Sequence, residues 1–344
     1  MIRPFGLRDV LTIRRLEPQG VAFDLERLLL DAPSPLQAAL VGCLSRYHLG
    51  AVTCIHEGAE ERKDLRGFVQ AWPNAKQSRW DLAYIAPALG QPAANDIWYR
   101  LLTYLIIFAA EQGVYRVFAR SAEDGEAEDV FRQAGFRVAG CDEVFRLVEA
   151  QPSLAIPKGL RPLGEQDRWA VQQLYSQLVP RCAQDPDTGS PYRTTLNPST
   201  LSTSTVAGEF VWSEKGQVLA YYGLLSGARG YWLEVLVRPE HRGDILHHIK
   251  YLLSLTHSAG ERPIYCAVPD YAVGLGWLLR TLHFESYARQ VLLVAHTAVR
   301  VRARQNALVT RLEGGVDVGA PIHSPFHTGK ASERGVTRGY QHKV

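Results

Sequence analysis

The chain has 344 residues, 46% of them hydrophobic and 21% charged, which excludes wholesale disorder and leaves room for two globular domains at roughly 150 residues each. Its formal charge is +3, but the 44 residues after Arg300 hold seven Lys or Arg against three Asp or Glu, so residues 1–300 carry a net charge of −1. The folded part therefore lacks the clustered positive charge a polyanion requires, and no nucleic-acid partner is expected for it. In chain order, an extended segment at residue 2 leads into a helix near 7–16. After several strands come a helix from Ala93 or Asn95 to Gln112, a strand over 115–120, a helix over 126–134 and a strand over 143–148. Residues 151–159, with two prolines and a glycine, read as a linker. Beyond it a helix is expected over 165–178. A hairpin follows around Glu214-Lys215-Gly216, and then a β-rich run over 231–237 closed by Pro239. A helix over 244–258, a strand over 263–268, a helix over 274–282 and a strand over 289–296 complete the series.

The two series are alike because the sequence repeats. Arg3-Pro4, Gly6 and Asp9 recur as Arg161-Pro162, Gly164 and Asp167. Trp80 to Pro87 lines up with Trp232 to Pro239, and Phe131 to Phe136 with Leu279 to Phe284. Three blocks in the same order mean two copies of one domain, at 1–150 and 160–300. Antiparallel strands followed by β-α-β-α-β predict an α/β fold, a mixed sheet with helices on both faces. Two stretches look irregular. Residues 184–205 are either a solvated loop or a flap over substrate, and 301–344 read as a flexible basic tail. Five scattered cysteines without a C-x-x-C pair indicate neither a disulfide framework nor a metal site. The amino terminus has no apolar signal core, and the most apolar run, 97–110, is short and contains Arg100. A cytoplasmic protein with no membrane partner is expected. One Met and an excess of Arg over Lys resemble GC-rich bacterial coding.

The segment Val237-Arg238-Pro239-Glu240-His241-Arg242-Gly243-Asp244, between a strand and a helix, resembles the start of the acyl-CoA pyrophosphate loop of the GNAT (GCN5-related N-acetyltransferase) superfamily. The element order and the ending at Gly135-Phe136 are similar too. The resemblance implies two tandem GNAT-like folds, each a seven-stranded mixed sheet splayed beside the loop. It also implies acyl transfer from acetyl-CoA, or another acyl-CoA, to a small-molecule or peptide amine. The family loop has the form Arg/Gln-x-x-Gly-x-Gly/Ala, because phosphates approach the backbone where a Cβ would intrude. Here the small positions are Ile245 and His247, and Asp244 adds a carboxylate. Copy one replaces the loop with a segment containing Pro87 and Pro92.

Copy two is thus the better acyl-CoA candidate, through Val237, Arg242, Gly243, Asp244 and Ile245. The tyrosine the family uses to protonate the thiolate falls on Phe131 and Leu279, which cannot donate. Glu234 lies on the strand where the family places its base, and its apolar neighbours are expected to raise its pKa; the other reading is a Glu on the solvent side of an edge strand. Asp81, one residue further from its proline, is expected on the opposite face. The spacing of His241, His247 and His248 does not suit a metal. The alternative to an acyltransferase in copy two is an inactive protein that uses the fold to bind acyl-CoA, a small ligand or a protein partner. That reading expects side chains such as His247 to fill the cofactor slot.

Overall fold

The structure, a computed structural model, describes residues 1–46, 49–58, 66–74, 78–123, 125–149, 155–184, 204–257 and 262–297. The expected tail, nearly all of the 184–205 segment and part of the 151–159 linker lie outside the described residues. The first copy runs β1 (Ile2–Pro4), α1 (Val10–Leu16), β2 (Val21–Ala22), α2 (Leu25–Leu30), α3 (Pro35–Leu44), β3 (Val52–His56), β4 (Gly67–Pro73), β5 (Arg79–Ala86), α4 (Ala94–Glu111), β6 (Arg116–Ala122), α5 (Gly125–Gln133) and β7 (Arg137–Leu147). The second runs β8 (Leu160–Pro162), α6 (Arg168–Leu178), β9 (Thr205–Glu214), β10 (Gln217–Ser226), β11 (Tyr231–Val237), α7 (Leu246–His257), β12 (Ile264–Pro269), α8 (Leu275–Thr281) and β13 (Glu285–His296). The β9–β10 hairpin turns at Lys215 and Gly216, both at positive φ, as a two-residue turn between right-twisted strands requires.

The repeated signature has a local cause. In copy one the Arg3 guanidinium grips Asp9 through two bonds of 2.7 Å, and the Gly6 amide donates to the same carboxylate at 2.8 Å. Arg161, Asp167 and Gly164 repeat the arrangement. Each trio ties the first strand to the first helix. The Arg161 bond holds the Asp167 carboxyl below its ordinary range. At Asp9, burial pushes the carboxyl up, but the bonds from Arg3 and Gly6 outweigh it and the net direction is down. Stability from these carboxylates is therefore present above their ordinary pKa and is lost as pH falls through the folded-state values. Asp9→Asn is expected to lower unfolding free energy by about 1–3 kcal/mol, because it weakens charged hydrogen bonds to partly buried partners. A denaturant midpoint unchanged at neutral pH would remove the trio from the stability account.

All strands join one sheet in the order β1-β3-β4-β5-β6-β13-β7-β12-β11-β10-β9-β8, with β2 added beside β5. Pairing is parallel at β5–β6 and β11–β12 and antiparallel elsewhere along the sheet. Two self-contained seven-stranded sheets, the arrangement the resemblance implies, are not what forms. The last strand of each copy lies in the other's half: β13 pairs with β6, β7 pairs with β12, and β7 and β13 pair with each other. Each of β6 and β12 is covered by the other copy's last strand, and the β7–β13 pairing joins the halves so that neither ends in an open edge there. Residues 1–299 accordingly form one compact unit. The boundary near 150–160 divides two runs of elements and not two sheets.

On one face α4 and α5 bury Trp98, Leu101 and Phe131 against Val69, Leu82 and Val117. In the second half α7 and α8 bury Ile249, Leu252 and Leu279 against Leu233 and Cys266. The spacing of Ile97, Trp98, Leu101, Leu102 and Leu105 makes one apolar stripe, which is why α4 packs as a helix there. The opposite face is covered by α1 and α3 in copy one and α6 in copy two. Between them α2 lays Leu25, Leu29 and Leu30 on Trp232 and Tyr265 of the second copy. Among the described residues no helix is long and apolar enough to cross a membrane.

Candidate functional site

Each copy opens a notch between its two parallel strands. β11 and β12 pair at Tyr231/Ile264, Trp232/Tyr265 and Leu233/Cys266, and pairing then stops although β11 runs on to Val237 and β12 to Pro269. β5 and β6 likewise pair only as far as Asp81/Phe118. The two notches differ in what fills them. In copy one β2 pairs with β5 at Val21/Ile85 and Ala22/Tyr84. The Phe23 amide donates to the Ala83 carbonyl at 2.8 Å, and the Ala88 amide to Gln19 at 2.6 Å. The Phe23 ring then wedges edge-on against Trp98 and Phe131. The chain can pass this close because residue 20 is glycine: a Cβ there would run into the Tyr84 ring and the Ile85 carbonyl. In copy two no described strand pairs with β11 beyond Leu233 on its β12 side.

Glu234 is the first residue past the last β11–β12 pair. Leu233 belongs to the core under α7, so by strand alternation Glu234 faces the other way. There it lines a cavity of about 170 Å³ with Trp232, Tyr221, Tyr175 and Tyr271. β11 lies between β10 and β12 and is not an edge strand. The expectation for Asp81 is overturned. Register slips between Gln70 and Ala71, so Ala83 is an extra residue in β5 that has no counterpart in β11. This bulge reverses the parity of everything before it. Trp80 and Leu82 pack into the α4 core, which turns Asp81 to the same face as Glu234. Both notches therefore carry a carboxylate at the point where pairing ends, and that of Asp81 is held by Arg79 at 2.5 Å.

Phe131 and Leu279 are fully buried in the two cores. Tyr271, two residues past β12, lies in the cavity wall. Burial raises its hydroxyl above the ordinary range, and the negative charges of Asp142, Asp270 and Glu234 add to the rise, as Glu234 also does at Tyr221. No motif marked it, because only the chain's return from β12 places it beside β11.

The loop expected to hold diphosphate is mixed in character. The Asp244 amide donates to His241 at 3.1 Å and the Arg242 amide reaches Pro239 at 3.5 Å. The turn through residues 242–245 leads straight into the first turn of α7, whose leading amides have no partner inside the helix. A Cβ on Gly243 would meet open space. The His247 side chain is exposed and does not fill the slot. Val237 and Ile245 bury their side chains in the α7 core, so only their backbone can face a ligand. Arg242 turns its guanidinium to the carbonyls of Val273 at 2.6 Å and Tyr271 at 3.3 Å, bracing the cavity wall. The Asp244 carboxylate is exposed beside His241. His248 is a core histidine: its Nδ1 lies 2.9 Å from the Tyr222 hydroxyl, and burial lowers its pKa to about 4. Among the described residues no group of three His, Cys, Asp or Glu could hold a metal ion.

No family model and no curated protein matches the chain. Its fold matches that of a GCN5-related N-acetyltransferase from Sphaerobacter thermophilus, at 16% identity and a TM-score of 0.51, over 86% of this chain and 95% of that one. It also matches a tandem GNAT protein from the clavulanic acid biosynthesis pathway, at 15% identity and a TM-score of 0.50, over 87% and 98% of the two chains. The fold is the GNAT fold, present in tandem.

Proposed function

We propose that the protein transfers an acyl group from an acyl-CoA to an amine, and that the second copy alone does so. The observation that carries this reading is the contrast between the notches: β2 occupies the strand edge in copy one, whereas in copy two no described segment pairs with that edge, and Glu234 lies at its start with the first turn of α7 at its end. The backbone of β11 from Val235 to Val237 would take the pantetheine amides, and the amides of Gly243 and Ile245 to His247 the diphosphate. Asp244 opposes that anion, which points to modest affinity. Bound there, acyl-CoA supplies an activated acyl group, the thioester C–S bond breaking as the amine's C–N bond forms, with the ammonium proton released and the thiol protonated. Glu234 accepts the proton that makes the amine nucleophilic. Tyr271, with its pKa raised, keeps its proton at neutral pH and can donate from Oη.

Titration calorimetry with acetyl-CoA tests the cofactor assignment. One site per chain is expected, weakened by Gly243→Asp and unaffected by Ala93→Asp at the exposed position before α4. Two sites, or a site sensitive only to Ala93→Asp, would overturn the assignment of the copies. No binding of acetyl-CoA or longer acyl-CoAs would favour the inactive protein.

A further inference from the structure

The first copy has a cavity of its own. It holds about 300 Å³, lies between α2, α3 and the strands β4 and β5, and shares no lining residue with the cavity at Glu234. Its walls are largely apolar: Leu28 of α2, Ala38 of α3, Trp72 of β4 and Ala83 of β5, with Pro33 beside them. Because β2 fills the notch of this copy, a molecule held here has no cofactor edge next to it. The cavity is therefore built for binding and not for the transfer proposed for the second copy.

Most polar groups in the wall are spent within the fold. Tyr84 donates to the Glu17 carbonyl and Ser34 to the Glu17 carboxylate at 2.9 Å, while the Asp24 carboxylate takes the Arg27 amide and Nε, each at 3.1 Å. One arginine against two carboxylates leaves a net charge of 1 − 2 = −1, which disfavours an anion, and both carboxylates already have donors, which leaves a cation little to gain. Two groups keep capacity. Gln70 is 1% exposed and gives Nε2 to the Pro35 carbonyl at 2.7 Å and to Thr53 Oγ1 at 3.0 Å, which uses both amide hydrogens and fixes the orientation of the group. Its Oε1 has no donor among the described residues, although it belongs to a buried side chain in the cavity wall. Arg27 sits over the Trp72 ring at 4.4 Å, and beyond the Nε bond its terminal nitrogens have no acceptor among the described residues. Gln70 and Trp72 are two residues apart on β4, so they share a face at a spacing of about 7 Å.

We infer that this cavity binds a small, neutral, planar amide, which donates its N–H to Gln70 Oε1 and accepts from Arg27 through its carbonyl. An amide carries donor and acceptor side by side, and with a hydrogen bond at each end it bridges the spacing between the two groups. The apolar walls take its hydrocarbon part. A ligand of the same shape that brings only an acceptor is rejected, because it buries the Gln70 oxygen unpaired. The inference does not depend on the acyl-transfer reading.

Titration calorimetry on the full chain with benzamide and acetophenone tests it, since the two differ only in an amino group against a methyl. Benzamide is expected to bind about 10-fold or more tightly than acetophenone, the usual effect of leaving a buried acceptor unpaired. Gln70→Met should remove the preference and bring benzamide to the acetophenone level. Arg27→Met, at a position whose side chain is 17% exposed, should weaken both ligands, because both present a carbonyl. No binding of benzamide, equal affinity of the parent chain for the two, or benzamide binding indifferent to both substitutions in correctly folded variants would overturn the inference. The comparison of the two ligands on the parent chain decides it even where Gln70→Met does not fold.

Discussion

Glu234→Gln is expected to lower kcat for acyl transfer by about 10²–10⁴-fold, the usual worth of a positioned general base, while acetyl-CoA affinity stays close to that of the parent. The asymmetry between rate and binding follows from position. Glu234 faces the amine cavity, whereas the cofactor would lie along the backbone of β11 and the start of α7. Glutamine keeps the size and one acceptor oxygen and loses only the capacity to take a proton. Part of the loss should return at higher pH, where the amine is already neutral and needs no base. Asp81→Asn is the matched control: it changes the carboxylate at the same place in copy one, where β2 fills the notch, and should leave kcat near that of the parent. A Glu234→Gln enzyme with an undiminished rate across the pH profile would exclude this residue as base. A large loss in Asp81→Asn with none in Glu234→Gln would move the chemistry to the first copy.

The sequence was most legible where local chemistry decides structure. Arg3, Gly6 and Asp9 recur as Arg161, Gly164 and Asp167 because the same hydrogen-bonded trio closes each copy's first turn. Phe131 and Leu279 could be excluded as proton donors from side-chain chemistry alone. Decisions made by distant segments were not legible. Val21 and Ala22 form a two-residue strand whose meaning comes from β5, some 60 residues further on. Pattern alone gives so short a piece no periodicity to detect. The bulge at Ala83 adds one residue to β5, so aligning Trp80 with Trp232 placed Asp81 on the wrong face. The exchange of β7 and β13 leaves no trace in hydropathy, because a buried strand reads the same whichever half of the sheet receives it. That exchange also explains why Asp142 and Tyr271 were not found: they become neighbours only after two copies trade strands.

Asp142 should also control how stability varies with pH. Burial, reinforced by the Asp270 carboxylate, pushes its pKa from 3.8 to about 6, even though Arg120 donates to it. The folded state therefore holds this proton more tightly than the unfolded chain does. Below about pH 3.8 the carboxyl is neutral in both states and costs nothing. As pH rises from there to about 6 the unfolded chain ionises first, and above 6 the folded state must carry a buried charge. At 1.36 kcal/mol per pH unit of pKa difference, the cost above pH 6 is about 3 kcal/mol. Asp142→Asn removes this titration. It also leaves Arg120, whose side chain is 24% exposed, without a charged partner, a penalty that does not depend on pH. The test is consequently the slope and not the absolute stability. In urea melts between pH 5 and 7.5, the parent chain should lose unfolding free energy with rising pH by more than the variant. Their difference should grow by about 1–2 kcal/mol across that interval, in which roughly the upper half of the titration falls. Parallel slopes in parent and variant would mean that Asp142 is already ionised at pH 5 in the fold.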